Sequence, residues 1–379
     1  MSHKKIVFLT GTRADYGKLK SLINITQSTS GFHVHLFVTG MHMQAQYGKT
    51  INEIIKSGHK NIESFNNVSS SMDISLSKTI SGFSKYIKKI QPDLVVVHGD
   101  RLEALAGAIV CATNNVLVAH IEGGEVSGTI DESIRHAVSK FSHIHFTTDN
   151  NSKKRLIQLG EHKKNIFVIG SPDFDLMKSK NMINIQKVKE YYGIPFKDYG
   201  IVLFHPVTTE VDKIDEHTEE LCKALIKYNH NYVVIFPNND LGSEKIIKIY
   251  KNKLKKNTIK IFPSLRFEYF LSLLKHASFI IGNSSCGLRE APFFKVPTIN
   301  IGTRQKNRSN LSSIINIDPK ESEILNALKQ ITLKQSTRNK GISKITHVSD
   351  SDKRFIKTLK QRRIWNISKQ KFFNDLDIV

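Results

Sequence analysis

The sequence has few cysteines and no long hydrophobic run, and each shortage excludes a class of protein. Its 379 residues include three cysteines, at positions 111, 222 and 286, too few and too far apart for a disulfide framework or a zinc cluster. A membrane-spanning helix needs about 18 apolar residues in a row, and the best run here, residues 105–112, has eight. The short apolar stretch near the N-terminus soon meets Thr10 and Arg13, unlike a signal peptide. We therefore expect a cytoplasmic globular protein.

Acidic residues are scarce beside basic ones. The chain has 56 Lys and Arg against 34 Asp and Glu, a formal net charge of +22. Such an excess suits nucleic acid, an anionic membrane or a phosphorylated small molecule. We interpret most of it as solvated helix faces, and we expect no nucleic-acid partner and no membrane insertion.

One basic segment near the C-terminus, residues 353–363, has apolar residues at near-helical spacing. Ile356, Leu359 and Trp365 recur there between lysines and arginines. The pattern predicts an amphipathic helix that packs back on the body with its basic face in water. An RNA-binding tail is the alternative.

Short apolar strands alternate with helical stretches along most of the chain. Residues 6–10, 94–98, 201–205 and 279–281 are typical strands, each followed by a turn and a helix. This alternation predicts an α/β fold with parallel sheets. Because the rhythm restarts after residue 172, we expect two Rossmann-like doubly wound domains facing across a cleft. Their predicted bounds are 1–172 and 173–347, with residues 348–379 as the C-terminal helix.

Three carboxylates of the first domain follow strands or a glycine-containing loop. Asp100 and Glu122 each come just after a predicted parallel strand, and Asp131 follows the loop after Glu122. Carboxylates at one sheet edge suit proton transfer, and crowding should raise the pKa of at least one of them. In the alternative interpretation, Asp100 and Asp131 cap helices and Glu122 pairs with Arg135.

Two further strand ends have the residues of an anion site. In residues 282–290 a strand runs into glycines and the hydroxyls of Ser284 and Ser285, which predicts a pyrophosphate cradle at a helix start. Glu290 is then a candidate acceptor for a ribose hydroxyl pair. Arg13, after Gly11 at the end of the first strand, is a candidate for an anion. The alternatives are a simple serine N-cap and a plain turn between strand and helix.

The second domain adds further candidates for the diphosphate. His205 ends its first strand, and Arg304 follows another strand end, where a guanidinium can bind phosphate oxygens in pairs. A lone histidine at a strand end is also common as a structural residue. The histidine pairs at 33/35 and 143/145 have no carboxylate cluster nearby, so we expect no metal site.

Four segments together resemble one enzyme family, the hydrolysing UDP-N-acetylglucosamine 2-epimerases of bacterial sialic acid pathways. The segments are GTRADY at 11–16, GDR at 99–101, HIEGGEVSGTIDESIRH at 120–136 and GNSSCG at 282–287. The resemblance runs from about residue 4 to 310 in order and spacing. It implies a glycosyltransferase-B-like fold, a UDP-sugar substrate, no metal or redox cofactor, and a homodimer or homotetramer. From the length of 379 residues we expect no kinase half such as the bifunctional animal enzyme has.

The resemblance also implies a reaction and the residues that perform it. UDP leaves C1 by anti elimination as a proton leaves C2, and water then adds to the 2-acetamidoglucal to give N-acetylmannosamine. Asp100, Glu122 and Asp131 match the acid/base carboxylates, and His205 matches the histidine near the departing diphosphate. The residues that match UDP or substrate contacts are Arg13, Arg101, Asn238, Ser284, Ser285, Glu290 and Arg304.

Three other activities compete with this one. Non-hydrolysing epimerases share the fold but lack the run at 120–136. Hydrolysing enzymes for UDP-2,4-diacetamido-2,4,6-trideoxyhexose, of the legionaminic acid route, are closer, although they usually have a second histidine at the position of Glu122. A glycosyltransferase of the same architecture would leave C2 untouched.

Overall fold

Short Val- and Ile-rich runs of the sequence form parallel strands in the computed structural model, which describes residues 3–69, 71–178, 182–305, 311–334 and 348–376. The chain divides into two units. Unit 1 comprises Met1–Lys178 and His347–Val379, and unit 2 comprises Ser179–Thr346. Among the described residues, no helix has the length and apolar character needed to cross a membrane.

Unit 1 is a seven-stranded sheet with helices on both faces. Its strands are β1 (Lys4–Thr10), β2 (Phe32–Val38), β3 (Ile62–Ser64), β4 (Leu94–His98), β5 (Leu117–Ile121), β6 (Ile144–Thr147) and β7 (Ile166–Val168). Its helices are α1 (Arg13–Ser28), α2 (Ile51–Lys56), α3 (Met72–Ile90), α4 (Leu102–Thr113), α5 (Ile130–Phe141), α6 (Asn150–Gln158), α7 (Pro172–Lys178) and, from the C-terminal segment, α14 (Ser351–Leu359). The strands pair in parallel in the order β3-β2-β1-β4-β5-β6-β7.

The central strands of unit 1 are apolar throughout because both of their faces are covered. All five residues of β4 are buried. Leu94 and Val96 belong to the apolar cluster that includes residues of α1 and α14, whereas Val95 and Val97 belong to the cluster with α3 and α4. Alternate side chains of one strand thus enter two cores, which is why such strands lack a polar face.

Helix α14 packs its apolar face on unit 1. Phe355 is fully buried, with ring centroids 4.8 Å from Phe146 and 6.3 Å from Phe8. The Asp175 carboxylate of α7 accepts the backbone N–H groups of Asp350 and Ser351 at 3.0 and 2.6 Å. This contact satisfies N–H groups that a helix start would otherwise leave unpaired.

Unit 2 contains a six-stranded parallel sheet. Its strands are β8 (Gly200–Leu203), β9 (Tyr232–Ile235), β10 (Ile259–Phe262), β11 (Phe279–Gly282), β12 (Thr298–Ile301) and β13 (Ile314–Ile317). Its helices are α8 (Ile185–Tyr192), α9 (Ile214–Tyr228), α10 (Ser243–Lys253), α11 (Phe267–His276), α12 (Glu290–Phe293) and α13 (Glu321–Lys334). The strand order is β10-β9-β8-β11-β12-β13.

Each sheet has a point at which the strand order reverses. In unit 1 the chain builds β1 to β3 to one side and then returns to β4 beside β1; unit 2 repeats this with β8 to β10 and then β11. Loops diverge at such a point, so ligands bind there, beyond the carboxyl ends of the strands. A ligand-binding site is therefore expected at the segments that follow β4 and β11.

The packing of α14 predicts a stability effect. Phe355→Ala should lower the free energy of unfolding of unit 1 by about 3–5 kcal/mol, because it leaves a cavity beneath the helix. Urea unfolding followed by the fluorescence of Trp365, the single tryptophan, measures this loss. Lys357→Ala on the exposed side of the same helix should change stability by about 0.5 kcal/mol or less. Equal losses in both variants would contradict the packing described here.

Candidate functional site

Asp100 follows β4 and is held by two neighbours. Arg135 of α5 donates from Nη2 to Asp100 Oδ2, and the Ser127 hydroxyl donates to the same oxygen at 2.7 Å. Arg135 Nε also donates to Ser127 Oγ at 2.8 Å. The loop before α5 therefore folds back over the strand end, and three side chains form a closed hydrogen-bonded ring.

This ring fixes the charge of Asp100. Burial by itself raises the pKa of Asp100, but the Arg135 guanidinium, the Ser127 hydroxyl and the Arg101 charge outweigh it and hold the pKa well below its usual range. Crowding was expected to raise the pKa of at least one of the three carboxylates; Asp100 is not that one, since a buried guanidinium is its nearest charge. Asp100 is therefore ionised at neutral pH.

Glu122 follows β5 in a strained conformation. Its φ of 63° is in the left-handed region, which costs a residue with a side chain about 1–2 kcal/mol. Arg135 Nη1 donates to the Glu122 backbone carbonyl at 2.6 Å, and the Ser171 hydroxyl donates to Glu122 Oε1 at 2.9 Å. Strain of this kind concentrates at functional sites. The surrounding bonds keep the carboxylate, which is 2% exposed, in one place.

Two more side chains lie beside Glu122 and a third pairs with one of them; sequence reasoning did not assign a role to any of the three. His98 Nε2 lies 3.3 Å from Glu122 Oε2, and Lys18 Nζ lies 3.6 Å from the same oxygen. Lys18 Nζ also forms an ion pair with Asp173 Oδ2 at 2.6 Å. Lys18 is on α1 and Asp173 on α7, far from Glu122 in sequence, so no local pattern links them.

Asp131 lies in the first turn of α5 and is half-buried. It precedes Arg135 by four residues, so both project from the same face of the helix. Thr129, the residue before the helix, has φ 59° and ψ −149°, a region populated almost only by glycine. The helix that brings Arg135 to Asp100 therefore also presents Asp131, from a strained start.

The alternative interpretation of these carboxylates is wrong in its details. Arg101 and Thr129, not Asp100 and Asp131, occupy the N-cap positions of α4 and α5. Arg135 contacts the side chain of Asp100 and the backbone of Glu122, rather than the Glu122 carboxylate.

Arg13 and Arg101 were both predicted to bind substrate. Arg13 Nε donates to Glu53 Oε2 of α2 at 3.1 Å, and its binding of a ligand anion stays a prediction. A capping box between Thr12 and Asp15 begins α1 at this point. Arg101 lies beside Asp100 at the start of α4.

Two strand histidines of unit 1, His120 and His145, have partners within the fold. His120 is fully buried, with Nε2 2.8 Å from the Gly99 carbonyl oxygen and Nδ1 3.0 Å from Ser139 Oγ. Burial lowers the pKa of His120 to about 3, so its ring is neutral. His145 Nε2 lies 3.0 Å from Glu161 Oε2. In the described part of the chain, no group of three or more His, Cys, Asp or Glu is placed to hold a metal ion.

In unit 2, Asn283 joins the two strand ends at the reversal point. Its Oδ1 accepts the His205 backbone N–H at 2.6 Å, and its Nδ2 donates to the His205 carbonyl at 2.8 Å. Gly282 before it has φ 140°, and a Cβ there would lie 2.0 Å from the Leu203 carbonyl oxygen, so only glycine fits. The sequence offered a signal for Asn283, a polar residue directly after the last strand glycine, but it was not assigned a role.

Asn283 also lies among other residues of this unit that were predicted to bind substrate. Arg304 Nη1 and Gln305 Nε2 donate to its backbone carbonyl at 3.2 and 2.9 Å. The Asn238 backbone N–H donates to His205 Nδ1 at 3.1 Å. This bond leaves the proton of a neutral His205 ring on Nε2. His205, Asn238 and Arg304 are thus brought together, with Asn283 between them.

Ser284 and Ser285 do not lie at the start of a long helix. The sequence predicted that the two serines begin a helix, but the structure has a 3-10 turn at Ser285–Gly287 and then the four-residue α12. Pro292 lacks an N–H group, and Lys295 has φ 54°, so the helix ends early. Ser284 Oγ accepts the Cys286 N–H at 3.4 Å, as the capping alternative predicted. Glu290 begins α12 and is buried.

A solved structure from Methanocaldococcus jannaschii, of a UDP-GlcNAc 2-epimerase in complex with UDP-GlcNAc and UDP, has a similar fold. It aligns with a TM-score of 0.76 and 22% identity over 94% of this chain and 99% of that one. At this identity the likeness concerns the fold alone. The prediction of two parallel-sheet α/β domains of the glycosyltransferase-B-like class is confirmed.

Three relatives are more similar in sequence. A UDP-N-acetylglucosamine 2-epimerase of Neisseria meningitidis serogroup B is 44% identical over 99% of this chain and 100% of its own length. A UDP-N,N'-diacetylbacillosamine 2-epimerase (hydrolyzing) of Legionella pneumophila is 34% identical, over 86% and 88%. The polysialic acid biosynthesis protein P7 of Escherichia coli is 35% identical, over 89% and 90%.

The family model that describes UDP-N-acetylglucosamine 2-epimerases matches residues 24–360. This match takes in Asp100, Glu122 and Asp131 of unit 1 and the cluster around Asn283 of unit 2. With sequence, fold and conserved length in agreement, the chain belongs to the UDP-N-acetylglucosamine 2-epimerase family.

Proposed function

We propose that this protein is a hydrolysing epimerase that converts UDP-N-acetylglucosamine to UDP and free N-acetylmannosamine. The C2–H bond breaks and its proton passes to a protein carboxylate, while the C1–O bond breaks and its electron pair leaves with UDP. Water then adds across the double bond of the resulting 2-acetamidoglucal. Its oxygen bonds to C1, and C2 receives a proton on the face opposite to the one that lost its proton. The observation that carries this proposal is the pair of carboxylates, Asp100 and Glu122, held at neighbouring strand ends in different surroundings.

The different surroundings of the two acids suit acid/base chemistry. Asp100 is bound to a guanidinium, which cannot give up its proton in a protein, and so it stays ionised. Glu122 lies beside the imidazole of His98 and the ammonium of Lys18 and accepts a hydrogen bond from the Ser171 hydroxyl. A pair of titratable groups in contrasting environments is the pattern expected of an acid and a base. Asp131 is the third candidate, on the helix that bears Arg135.

Unit 2 supplies the donors that a diphosphate needs. A neutral His205 has its proton on Nε2, a hydrogen-bond donor, and Arg304 adds a fixed positive charge. Both are tied to Asn283, at the reversal point where sheets of this kind bind nucleotides. The M. jannaschii neighbour, which contains UDP and UDP-GlcNAc, is consistent with a UDP-sugar as the ligand. We therefore propose UDP binding by His205, Arg304 and the backbone around Ser284 and Ser285.

Free N-acetylmannosamine suits a role in supplying sialic acid for a surface polysaccharide. The E. coli relative is named for polysialic acid biosynthesis, and the run at 120–136 resembles the hydrolysing enzymes of sialic acid pathways. A UDP-sugar substrate fits the cytoplasmic location expected from the sequence.

A second candidate substrate is a UDP-2,4-diacetamido-2,4,6-trideoxyhexose. The Legionella relative, 34% identical, is named for UDP-N,N'-diacetylbacillosamine. The two sugars differ at C4 and C6, so the same elimination chemistry serves both. Parallel assays with both UDP-sugars, following the released sugar by NMR, decide between them.

The reaction predicts a label in the product. When the purified protein acts on UDP-N-acetylglucosamine in D₂O, the product should be UDP and N-acetylmannosamine with deuterium at C2, because the proton added there comes from solvent. NMR of the product measures both points. UDP-N-acetylmannosamine as the product would indicate a non-hydrolysing enzyme, and an unexchanged C2 hydrogen would exclude elimination.

The carboxylates predict a loss of turnover without a loss of nucleotide binding. Asp100→Asn, Glu122→Gln and Asp131→Asn should each lower kcat by about 100-fold or more, since each removes an acid/base group or the charge that orients one. Kd for UDP, measured by calorimetry, should change little. Asp93→Asn is the control, because Asp93 is ion-paired with Lys4 at 2.7 Å at the opposite end of the strands. Wild-type turnover in all three amide variants would remove these carboxylates from the mechanism.

For Arg304 we predict a loss of UDP binding, in contrast to the loss of turnover predicted for the carboxylates. Arg304→Ala should weaken UDP binding by about 1.5–3 kcal/mol, roughly 10- to 150-fold in Kd, because a charge-assisted contact is lost. Gln305→Ala is the matched control, as it removes an uncharged donor from the same Asn283 carbonyl and should have a much smaller effect. Equal effects would mean that both side chains act only by supporting Asn283.

A further inference from the structure

Two buried side chains behind Glu122 form an ion pair that the proposed reaction does not use. Lys18 of α1 and Asp173 of α7 have side-chain exposures of 13% and 1%, and their charged atoms are 2.6 Å apart. Ser171, which donates to Glu122, directly precedes α7. The start of α7 therefore brings both a hydroxyl and a second carboxylate to the surroundings of Glu122.

One ammonium lies near both carboxylates of this cluster. A single ammonium lies 2.6 Å from one buried carboxylate and 3.6 Å from another. A buried charge is costly unless it is paired, so the two carboxylates compete for Lys18. The closer contact, with Asp173, holds the ammonium away from Glu122. The electrostatic attraction between Lys18 and Glu122 is therefore weaker than it would be without Asp173.

We propose that Lys18 and Asp173 are positioning residues that set the proton affinity of Glu122, Lys18 by opposing its protonation and Asp173 by offsetting Lys18. The inference rests on the proposed function, since it concerns the acid/base role of Glu122. It assigns a task to two residues that have no place in the chemistry itself. It also explains why two helices distant in sequence meet at this carboxylate.

Other charged or titratable groups face the same carboxylate from β4, α1 and α5. His98 Nε2 is 3.3 Å from Glu122 Oε2, and Asp15 of α1 interacts electrostatically with His98. Arg135 binds the Glu122 backbone carbonyl and is itself paired with Asp100. None of these groups is altered when Lys18 or Asp173 is replaced, so a difference between variants reports on the ion pair.

The test is the pH profile of kcat/KM for variants that remove one charge each. Asp173→Asn leaves Lys18 to act on Glu122 alone, so the limb governed by Glu122 should move to lower pH by about one unit. Lys18→Met removes the ammonium that attracts both carboxylates, so the same limb should move to higher pH by a similar amount. The double variant should lie between the two, because both charges are then absent. Lys18→Arg, which keeps the charge, should restore most of the wild-type profile.

Controls separate this inference from the proposed function and from loss of folding. Asp93→Asn and Lys4→Met remove the charges of a comparable ion pair at the other end of the sheet and should leave the profile in place. Circular dichroism and UDP binding check that each variant is folded. Each single variant decides by itself, so if one does not fold the other remains the test. The inference would be overturned if Asp173→Asn and Lys18→Met shifted the pH profile of kcat/KM in the same direction. It would also be overturned if they lowered kcat and left that profile in place. A wild-type protein without epimerase activity would instead contradict the proposed function.

Discussion

The guanidinium of Arg135 is the group on which the candidate site of unit 1 depends. It is 4% exposed, and its separate nitrogens reach the Asp100 carboxylate, the Ser127 hydroxyl and the Glu122 backbone carbonyl. A planar fork of five donors can satisfy three partners at once; the compact ammonium of a lysine cannot match that geometry. Two strand ends and the loop between Glu122 and α5 are therefore held together by one side chain, and Asp131 is carried on the same helix.

This arrangement leads to two different acids. Asp100 is tied to a charge that never changes, so its own charge is fixed. Glu122 is tied to a hydroxyl, an imidazole and an ammonium shared with another carboxylate. We infer that Asp100 orients and stabilises charge, whereas proton exchange is concentrated at Glu122.

The sequence predicted the strands and the residues at their ends better than it predicted the contacts between them. Alternation of apolar strands with helices placed Asp100 and Glu122 at neighbouring strand ends, because parallel strands end at the same edge. The Lys18–Asp173 pair joins α1 to α7 across 155 positions and has no periodic signal. The partner of Arg135 depends on the rotation of α5, which spacing alone does not fix, and so Glu122 was proposed in place of Asp100. Pro292 is visible in the sequence, yet its effect on α12 was not anticipated.

In unit 2 the residue that joins the strand ends is uncharged. Asn283 fixes the end of β11 to the segment after β8 through both atoms of its amide, one accepting from and one donating to the His205 backbone. An aspartate of the same shape would lose the donated bond and place a negative charge where a diphosphate is proposed to bind. In the proposed diphosphate site, Arg304 supplies a fixed cation beside the neutral amide of Asn283, which suits a ligand that brings its own negative charge. Acid/base chemistry needs the reverse, carboxylates with adjustable partners, which is what surrounds Glu122.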